Sequence, residues 1–363
     1  MDRLLRFPFV LLMLLCPAFG QNAPKPQLQP RAAEPAVPAP GDVDRRITLE
    51  VQVADKSGAP VRGLQKQDFL VLDDKQPRDI VSFQAVENGA SPASDPPVEV
   101  VLVIDAVNTS VQAVAYERSD VKKFLLQNDG KLALPTSLVL FTDTKTEMQN
   151  GFTRDGKALA ALYDQYETGL RSITRSSGFY GAEERFDMSL RTLSSLMTYE
   201  GTRPGRKLII WFSPGWPLLS GPRVELSGKQ EERFFDSIVA FSGELRKARI
   251  TLYSIDPLGM SDAGGLRTFY YKEFLKGVPF AKRAQAGDLG LQVLAVQSGG
   301  LVLNSTNDIT GAIADCTADA EAFYILSFDS SRADHANEYH ALGVTVDKPG
   351  IKVRTRTGYY AQP

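Results

Sequence analysis

The sequence predicts an α/β protein in which a doubly wound, mostly parallel sheet is inserted in a small all-β sandwich formed by both flanks. Between residues 96 and 318, short continuous apolar runs alternate with amphipathic stretches, which is typical of parallel strands covered by helices on both faces. Residues 46–90 and 319–363 show strand patterns only. Because each flank is too short to be stable alone, we expect the two to pair; two unrelated flanking pieces are the alternative.

The first 45 residues are predicted to lie outside the folded part. Arg3 and Arg6 precede the apolar run "FPFVLLMLLCPAF" and small residues at a cleavage position, so residues 1–20 indicate an export signal. An uncleaved membrane anchor and a lipid anchor on Cys16 are the alternatives. Residues 21–45 are rich in Pro and Ala and predict an extended linker. We therefore expect a periplasmic, cell-envelope or extracellular protein with no transmembrane segment once the signal is removed.

Composition excludes some classes of partner. The chain has 363 residues, 43% of them hydrophobic, and a net charge of −2, so it has no basic field to hold a nucleic acid. Signal removal leaves Cys316 as the single cysteine, and no internal disulfide is then expected. In "AIADCTADA" this residue is predicted to pack as a small apolar side chain on a helix, with a reactive thiol as the alternative.

The positions of strands and helices are predicted from the spacing of apolar residues along the sequence. "ITLEVQVAD" alternates apolar and polar residues and predicts a half-buried strand, and "DFLVLDDKQPRDIVSFQAV" predicts two more strands around a hairpin. Five buried strands are predicted at "VEVVLVID", "SLVLFTD", "KLIIWFS", "ITLYSID" and "LVLN". Helices are predicted near 111–127, 155–170, 183–199, 229–248, 288–300 and 307–320. Three C-terminal strands follow, the last two as a hairpin with Lys352, Arg354 and Arg356 on its solvent face.

The run "VVLVIDAVNTS" at 100–110, a strand followed by an acidic loop and a helix, resembles the start of a von Willebrand factor type A (VWA) domain. The flanks "GAPVRGLQKQDFLVLDDKQPRDIVSF" and "GIKVRTRTGYY" resemble the exported acidobacterial VWFA-related family, and the resemblance covers about residues 46–360. It implies adhesion-like or scaffolding contacts with other proteins outside the cytoplasm. Partners within the family are generally unassigned.

The resemblance also implies a divalent cation such as Mg²⁺ at the carboxyl edge of the sheet, held by an Asp-x-Ser-x-Ser loop with a Thr and an Asp from later loops. Asp105 and Thr109 match this loop, but Val107 stands at the middle Ser and Ser213 stands at the later Asp. The candidate metal ligands are Asp105, Thr109, Ser177 and Ser213. We predict a degenerate site with no cofactor; a cation-dependent adhesin with a non-standard site is the alternative.

Several polar residues are predicted to meet at this edge. Asp105, Asp143 and Asp256 each follow a buried strand, although Asp is also a frequent cap of such turns. Thr109 and Gln112 fit a capping box of the next helix. Trp216, in "SPGWPLLSGP", is predicted to be either a partner anchor or folded back on the domain. The candidate partner-binding residues are Asp105, Asn108, Thr109, Ser213, Trp216 and Asp256.

Catalytic groups are scarce. The two histidines, His335 and His340, lack further metal ligands nearby in sequence, and no glycine-rich phosphate loop is present. We therefore predict a non-enzymatic module that binds an unidentified protein partner and needs no small-molecule cofactor. A hydrolase that uses the carboxylates along the sheet edge is a third hypothesis.

Overall fold

The computed structural model describes residues 45–87, 98–165, 178–217, 226–259 and 270–363. These residues fall within one compact unit, Gly41–Pro363. The predicted signal peptide, nearly all of the linker and the candidate ligand Ser177 lie outside the described residues. No helix within the described ranges has the length and apolar character that crossing a membrane requires.

Fifteen strands and six α-helices make up the described part of the chain. The strands are β1 Arg46–Ala54, β2 Phe69–Asp73, β3 Gln76–Arg78, β4 Ser82–Glu87, β5 Glu99–Asp105, β6 Lys131–Phe141, β7 Thr146–Met148, β8 Thr153–Asp155, β9 Lys207–Phe212, β10 Ile250–Ile255, β11 Val302–Leu303, β12 Ala322–Asp329, β13 Glu338–Val346, β14 Lys352–Arg354 and β15 Gly358–Ala361. The helices are α1 Val111–Leu126, α2 Gly156–Gln165, α3 Gly178–Gly201, α4 Gly228–Lys247, α5 Leu291–Gln297 and α6 Ile309–Ala318.

The largest sheet has the order β11-β10-β9-β5-β6-β7, with β8 also paired to β6. Strands β11, β10, β9, β5 and β6 are parallel, and the short β7 and β8 run antiparallel to β6. The predicted mostly parallel sheet is therefore confirmed. Along the chain, β5 is the first parallel strand, β6 the second and β9 the third. Because β6 and β9 lie on opposite sides of β5, the strand order reverses between β5 and β9. In open α/β sheets, ligand sites form beyond the carboxyl ends of the strands at such a reversal.

Helices cover both faces of this sheet. Alternate residues of β5 enter two separate cores: Val100, Leu102 and Ile104 pack toward α1, α2 and α6, whereas Val101 and Val103 pack toward α3, α4 and α5. A strand buried on both sides must be apolar at every position, which explains the continuous run in the sequence. Cys316 lies buried on α6 in the first of these cores.

Two smaller antiparallel sheets, β14-β1-β12-β4 and β15-β13-β2-β3, enclose a third core. Each sheet combines strands that precede the α/β segment with strands that follow it. The predicted last strand of the chain divides between the two sheets, because β14 pairs with β1 while β15 pairs with β13. Between them Arg356 is buried and donates to the carbonyl oxygens of Leu245 and Ile250 at 3.2 Å each, so its predicted place on a solvent face is wrong.

The smaller sheets contact the large sheet at the amino ends of its strands. Arg249, which directly precedes β10, donates through Nε to Glu50 Oε1 of β1 at 2.9 Å. The amide N–H of Thr357 donates to the carbonyl oxygen of Gln297, at the end of α5, at 3.2 Å. This contact lies at the opposite end of the parallel strands from Asp105.

Candidate functional site

The loop after β5 turns its carboxylate inward. Asp105 is the last residue of β5, at the point where the strand order reverses, and its side chain is 0% exposed. Oδ1 accepts from the backbone N–H groups of Val107 at 3.0 Å and Asn108 at 2.8 Å. Oδ2 accepts from Nδ2 of Asn108 at 2.8 Å and from Nε1 of Trp211 at 3.0 Å. Four N–H donors therefore occupy the carboxylate, and no oxygen faces outward to a ligand.

Neighbouring residues of the loop fix this arrangement. Nδ2 of Asn108 also donates to Oγ of Ser189 on α3 at 2.9 Å, and Ser189 donates to the carbonyl oxygen of Arg185 at 2.8 Å. Val107 packs in the core with Trp211, so hydrocarbon fills the position of the expected middle serine. The loop is thus tied to a helix and to a strand at once.

The predicted capping box at Thr109 is wrong by one residue. Ser110 is the N-cap of α1, and its Oγ accepts from the N–H of Ala113 at 3.2 Å. Thr109 is fully buried beside it. Its hydroxyl therefore does not line an open surface.

The segment after β9 packs against the same loop. Ser213 is fully buried, and its Oγ accepts from the N–H of Gly215 at 3.2 Å. Trp216 is 2% exposed and meets Trp211 edge to face, with ring centroids 5.2 Å apart. The structure therefore agrees with the alternative in which Trp216 folds back on the domain. The Trp216 ring is not exposed to a partner.

Burial is the main influence on the pKa values of two carboxyl groups in this region. It raises the pKa of the Asp105 carboxyl, and hydrogen bonding by Asn108, Trp211 and Ser213 opposes this shift. Glu117 on α1 is also fully buried, and neither carboxyl oxygen has a hydrogen-bond partner among the described residues. Burial, followed by the charge of Asp105, raises the pKa of Glu117 well above its ordinary value. Glu117 therefore favours its protonated form over a wider pH range than a solvent-exposed glutamate does.

The three edge carboxylates differ in burial and in their hydrogen-bond partners. Asp256 is nearly buried and its Oδ1 accepts from the N–H of Leu258 at 2.9 Å, as expected of a turn cap, whereas Asp143 is exposed. Asp105 points inward between them.

The structure brings Asp105, Asn108 and Ser213 together and packs Trp216 against Trp211. Thr109 is buried in the same loop, and Asp256 follows β10, which is separated from β5 by β9. Sequence reasoning missed Trp211, Ser189 and Glu117. A tryptophan inside a buried strand carries an N–H that needs an acceptor, and this signal could have pointed to Asp105.

One group of possible metal ligands lies elsewhere. Within the described part of the chain, the ligand atoms of Asp73, Asp74 and His340 lie within 4.8 Å of one another. Asp73 is buried and already accepts from His340 Nδ1 at 2.9 Å, from the Tyr359 hydroxyl at 3.2 Å and from Arg78 Nε at 3.2 Å. Arg78 already balances the negative charge of Asp73, and the Asp73 oxygens already accept hydrogen bonds. These residues therefore support the sandwich through hydrogen bonds and do not fit a metal site. His335, exposed nearby, takes no part.

No family model and no curated protein matches the sequence. Solved structures give distant similarity. The open conformation of the pilus adhesin SpaC from Lactobacillus rhamnosus GG is 12% identical, with a TM-score of 0.36 over 81% of this chain and 41% of that one. Human COPII-coat protein Sec24c is 9% identical, with a TM-score of 0.33 over 74% of this chain and 44% of that one. The SpRpn10 VWA domain is 14% identical, with a TM-score of 0.23 over 44% of this chain and 73% of that one.

This chain spans less than half the length of SpaC and of Sec24c. The neighbours include a VWA domain, but likeness at these scores carries no argument about function. Membership of the acidobacterial family stays a prediction.

Proposed function

We propose that this chain is an exported, non-enzymatic protein-binding module that acts through the carboxyl edge of its parallel sheet. In this proposal a VWA-like domain, residues 96–318, is inserted in a sandwich built from residues 46–90 and 319–363. The shared strands of the two small sheets support the insertion. The reversal of strand order between β5 and β9 supports the choice of edge.

One observation carries the proposal: the buried Asp105 carboxylate is engaged by four internal N–H donors. A cation would have to displace at least one donor and leave it buried without a partner, which costs about 1–3 kcal/mol for each such group. The edge would therefore recognise its partner without a metal. Asp105, Thr109, Ser213 and Trp216, all buried, act as positioning residues that fix the shape of the loops.

Contact with the partner would fall to exposed residues on the same edge. The turn after β6 presents Asp143, Thr144 and Lys145, and the turn after β11 presents Asn307 and Asp308. Both turns follow parallel strands, so they lie on the side of the sheet where Asp105 lies. Their mixed charge is typical of the polar surface around a protein interface.

Site-specific photo-crosslinking in the native envelope tests this. We expect a crosslinker at Thr144 to capture a discrete protein partner. A matched crosslinker at Lys75, exposed in the β2–β3 turn of the sandwich, should capture none. Equal capture from both positions, or capture from Lys75 alone, would count against the edge.

Export is a separate part of the proposal. The positive start, the apolar run and the small residues before Gln21 support it. N-terminal sequencing of the protein recovered from fractionated cells should give a mature chain that begins at Gln21. Recovery of the intact N-terminus in the cytoplasmic fraction would contradict export.

A further inference from the structure

A groove of about 360 Å³ lies between α3 and α4, which cover the same face of the large sheet and contact each other. Its floor is apolar and consists of Phe186, Leu190, Phe234, Phe241 and Leu289. All five pack in the core beneath the helices, but Leu190 and Phe234 are only partly buried. Apolar side chains therefore remain accessible between the two helices. We call this surface the α3–α4 groove.

Four charged side chains line the rim of the α3–α4 groove. Glu183, Asp187 and Arg191 follow one another at a spacing of four residues, so they lie along one face of α3. Arg233 belongs to the α4 wall, and all four side chains are exposed. Within the described ranges, no ion pair or side-chain hydrogen bond engages any of them. Two carboxylates and two guanidinium groups are therefore available to a ligand.

The groove has the length of a short helix. Its α3 wall extends from Glu183 to Ser194, and its α4 wall extends from Gln230 to Phe241. At a rise of about 1.5 Å per residue, each wall is about 16 Å long, or about three helical turns. This length accommodates the apolar side chains that a docked helix presents at positions i, i+4 and i+7.

The walls favour a helix over an extended peptide. Because both walls are α-helices, their backbone N–H and C=O groups are hydrogen-bonded within each helix. An extended peptide would find no backbone partner along these walls, and any of its own N–H and C=O groups that became covered would be left unpaired. A docked helix satisfies its backbone internally and needs only side-chain contacts.

We propose that the α3–α4 groove binds an amphipathic helix of a partner protein. Apolar side chains of that helix pack on Leu190 and Phe234. A Lys or Arg of the helix faces Glu183 and Asp187, and an Asp or Glu faces Arg191, because opposite charges across an interface fix the register of the partner. This inference does not rest on the proposed function, since the groove lies on the helical layer and not at the carboxyl edge of the sheet.

Selection from a displayed library of helical peptides tests the proposal. The bait is the purified chain, and the library varies one face of a fixed helical scaffold. We expect enrichment of sequences with apolar residues at i, i+4 and i+7 and with a Lys or Arg toward one end of that row. No enrichment, or enriched sequences that lack this pattern, would overturn the proposal.

A charge-reversed bait locates the site. With the double variant Glu183→Lys, Asp187→Lys, the enriched peptides should carry Asp or Glu in place of Lys or Arg, a change that loss of folding cannot produce. Peptides selected on the parent chain should bind this variant at least about fivefold more weakly, because two exposed charge pairs turn from attraction to repulsion. The matched control Glu232→Lys, Asp236→Lys makes the same reversal at the same spacing on exposed positions of α4 outside the groove. Equal effects of the two double variants would place binding elsewhere and overturn the proposal.

A second copy of the chain is the other candidate occupant of the groove. Analytical ultracentrifugation distinguishes the two occupants. We expect the parent chain and the Glu183→Lys, Asp187→Lys variant to sediment alike over the same range of concentrations. A dimer of the parent chain that this variant dissociates, and that the control variant leaves intact, would assign the groove to self-association and overturn the proposal of a separate partner.

Discussion

Two buried carboxyls in the α/β part differ in how they are hydrogen-bonded. Asp105, at the end of β5, accepts from four N–H donors, whereas Glu117, on α1, has no hydrogen-bond partner for its carboxyl oxygens among the described residues. Burial raises the pKa of both groups, but donors oppose the shift at Asp105 alone. The first carboxyl is built into the structure as a tie between a loop, a strand and a helix. The second lacks such partners, and its raised pKa favours the neutral form, which costs less to bury than a carboxylate.

Replacing Asp105 with Ala should lower the free energy of unfolding more than any other change considered below. The change leaves the N–H groups of Val107, Asn108 and Trp211 buried without their acceptor, and each such donor costs about 1–3 kcal/mol. We expect the free energy of unfolding, measured by urea denaturation, to fall by about 3–5 kcal/mol. Asp143→Ala, on the exposed turn of the same edge, should change it by less than about 0.5 kcal/mol. Similar losses in both variants would refute the internal role of Asp105.

Glu117→Gln should give a smaller effect of opposite sign. The folded protein releases the Glu117 proton at a higher pH than the unfolded chain, which releases it near the ordinary value of 4.5. Wild-type stability is therefore complete below that pH and falls as the pH rises, by about 1.4 kcal/mol per unit while the folded group stays protonated. The neutral amide avoids this loss. We expect the variant to be more stable than the wild type near pH 7 and equal in stability near pH 4.

Urea unfolding at several pH values measures this difference. Burial also raises the pKa values of Glu200 and Asp288 to about 7, so these groups add to the pH dependence of both proteins and cancel in the comparison. A stability difference that stays constant across the pH range would show that Glu117 does not change protonation on unfolding. In that case the amide would act through packing alone.

The two neighbouring tryptophans sharpen the comparison further. Nε1 of Trp211 donates to Asp105, whereas buried Nε1 of Trp216 has no acceptor among the described residues. Substituting either with Phe removes similar ring volume, but only Trp211→Phe removes a hydrogen bond to a carboxylate. We expect Trp211→Phe to lose about 2 kcal/mol more unfolding free energy than Trp216→Phe. Equal losses would mean that the indole N–H contributes nothing at Asp105.

Much of the fold could be predicted because each pattern reflects local burial. The apolar run before Asp105 is a strand covered on both faces, and the alternating run at 47–53 has one buried face. The C-terminal hairpin was predicted correctly only in part: β15 pairs with β13 as expected, but β14 pairs with β1. The chain changes sheets between β14 and β15, where Arg356 is buried against the carbonyl oxygens of Leu245 and Ile250. Such a crossing depends on the tertiary arrangement and leaves the strand pattern unchanged.

The site was harder to predict because its contacts join distant parts of the sequence. Asp105 was identified as the last residue of a strand, but its partner Trp211 is adjacent only because β9 pairs with β5. Periodicity shows that both strands are buried without showing which strands are neighbours. Likewise, the proline-rich segment around Trp216 gave no indication of whether the ring packs inward, and its contact with Trp211 decides this.

Divalent cations should have the smallest effect of all. A site with a dissociation constant of about 0.1 mM would stabilise the fold by about 2.7 kcal/mol at about 10 mM cation, because binding to the folded state alone adds to stability. Here each oxygen of Asp105 already accepts two N–H groups, and Val107 fills the place of a ligand with hydrocarbon, so binding would have to break hydrogen bonds before making any. We therefore expect no saturable rise in the melting temperature of the chelator-treated protein with Mg²⁺ or Mn²⁺. A saturable rise that Asp105→Asn abolishes would overturn this and favour a cation-dependent adhesin.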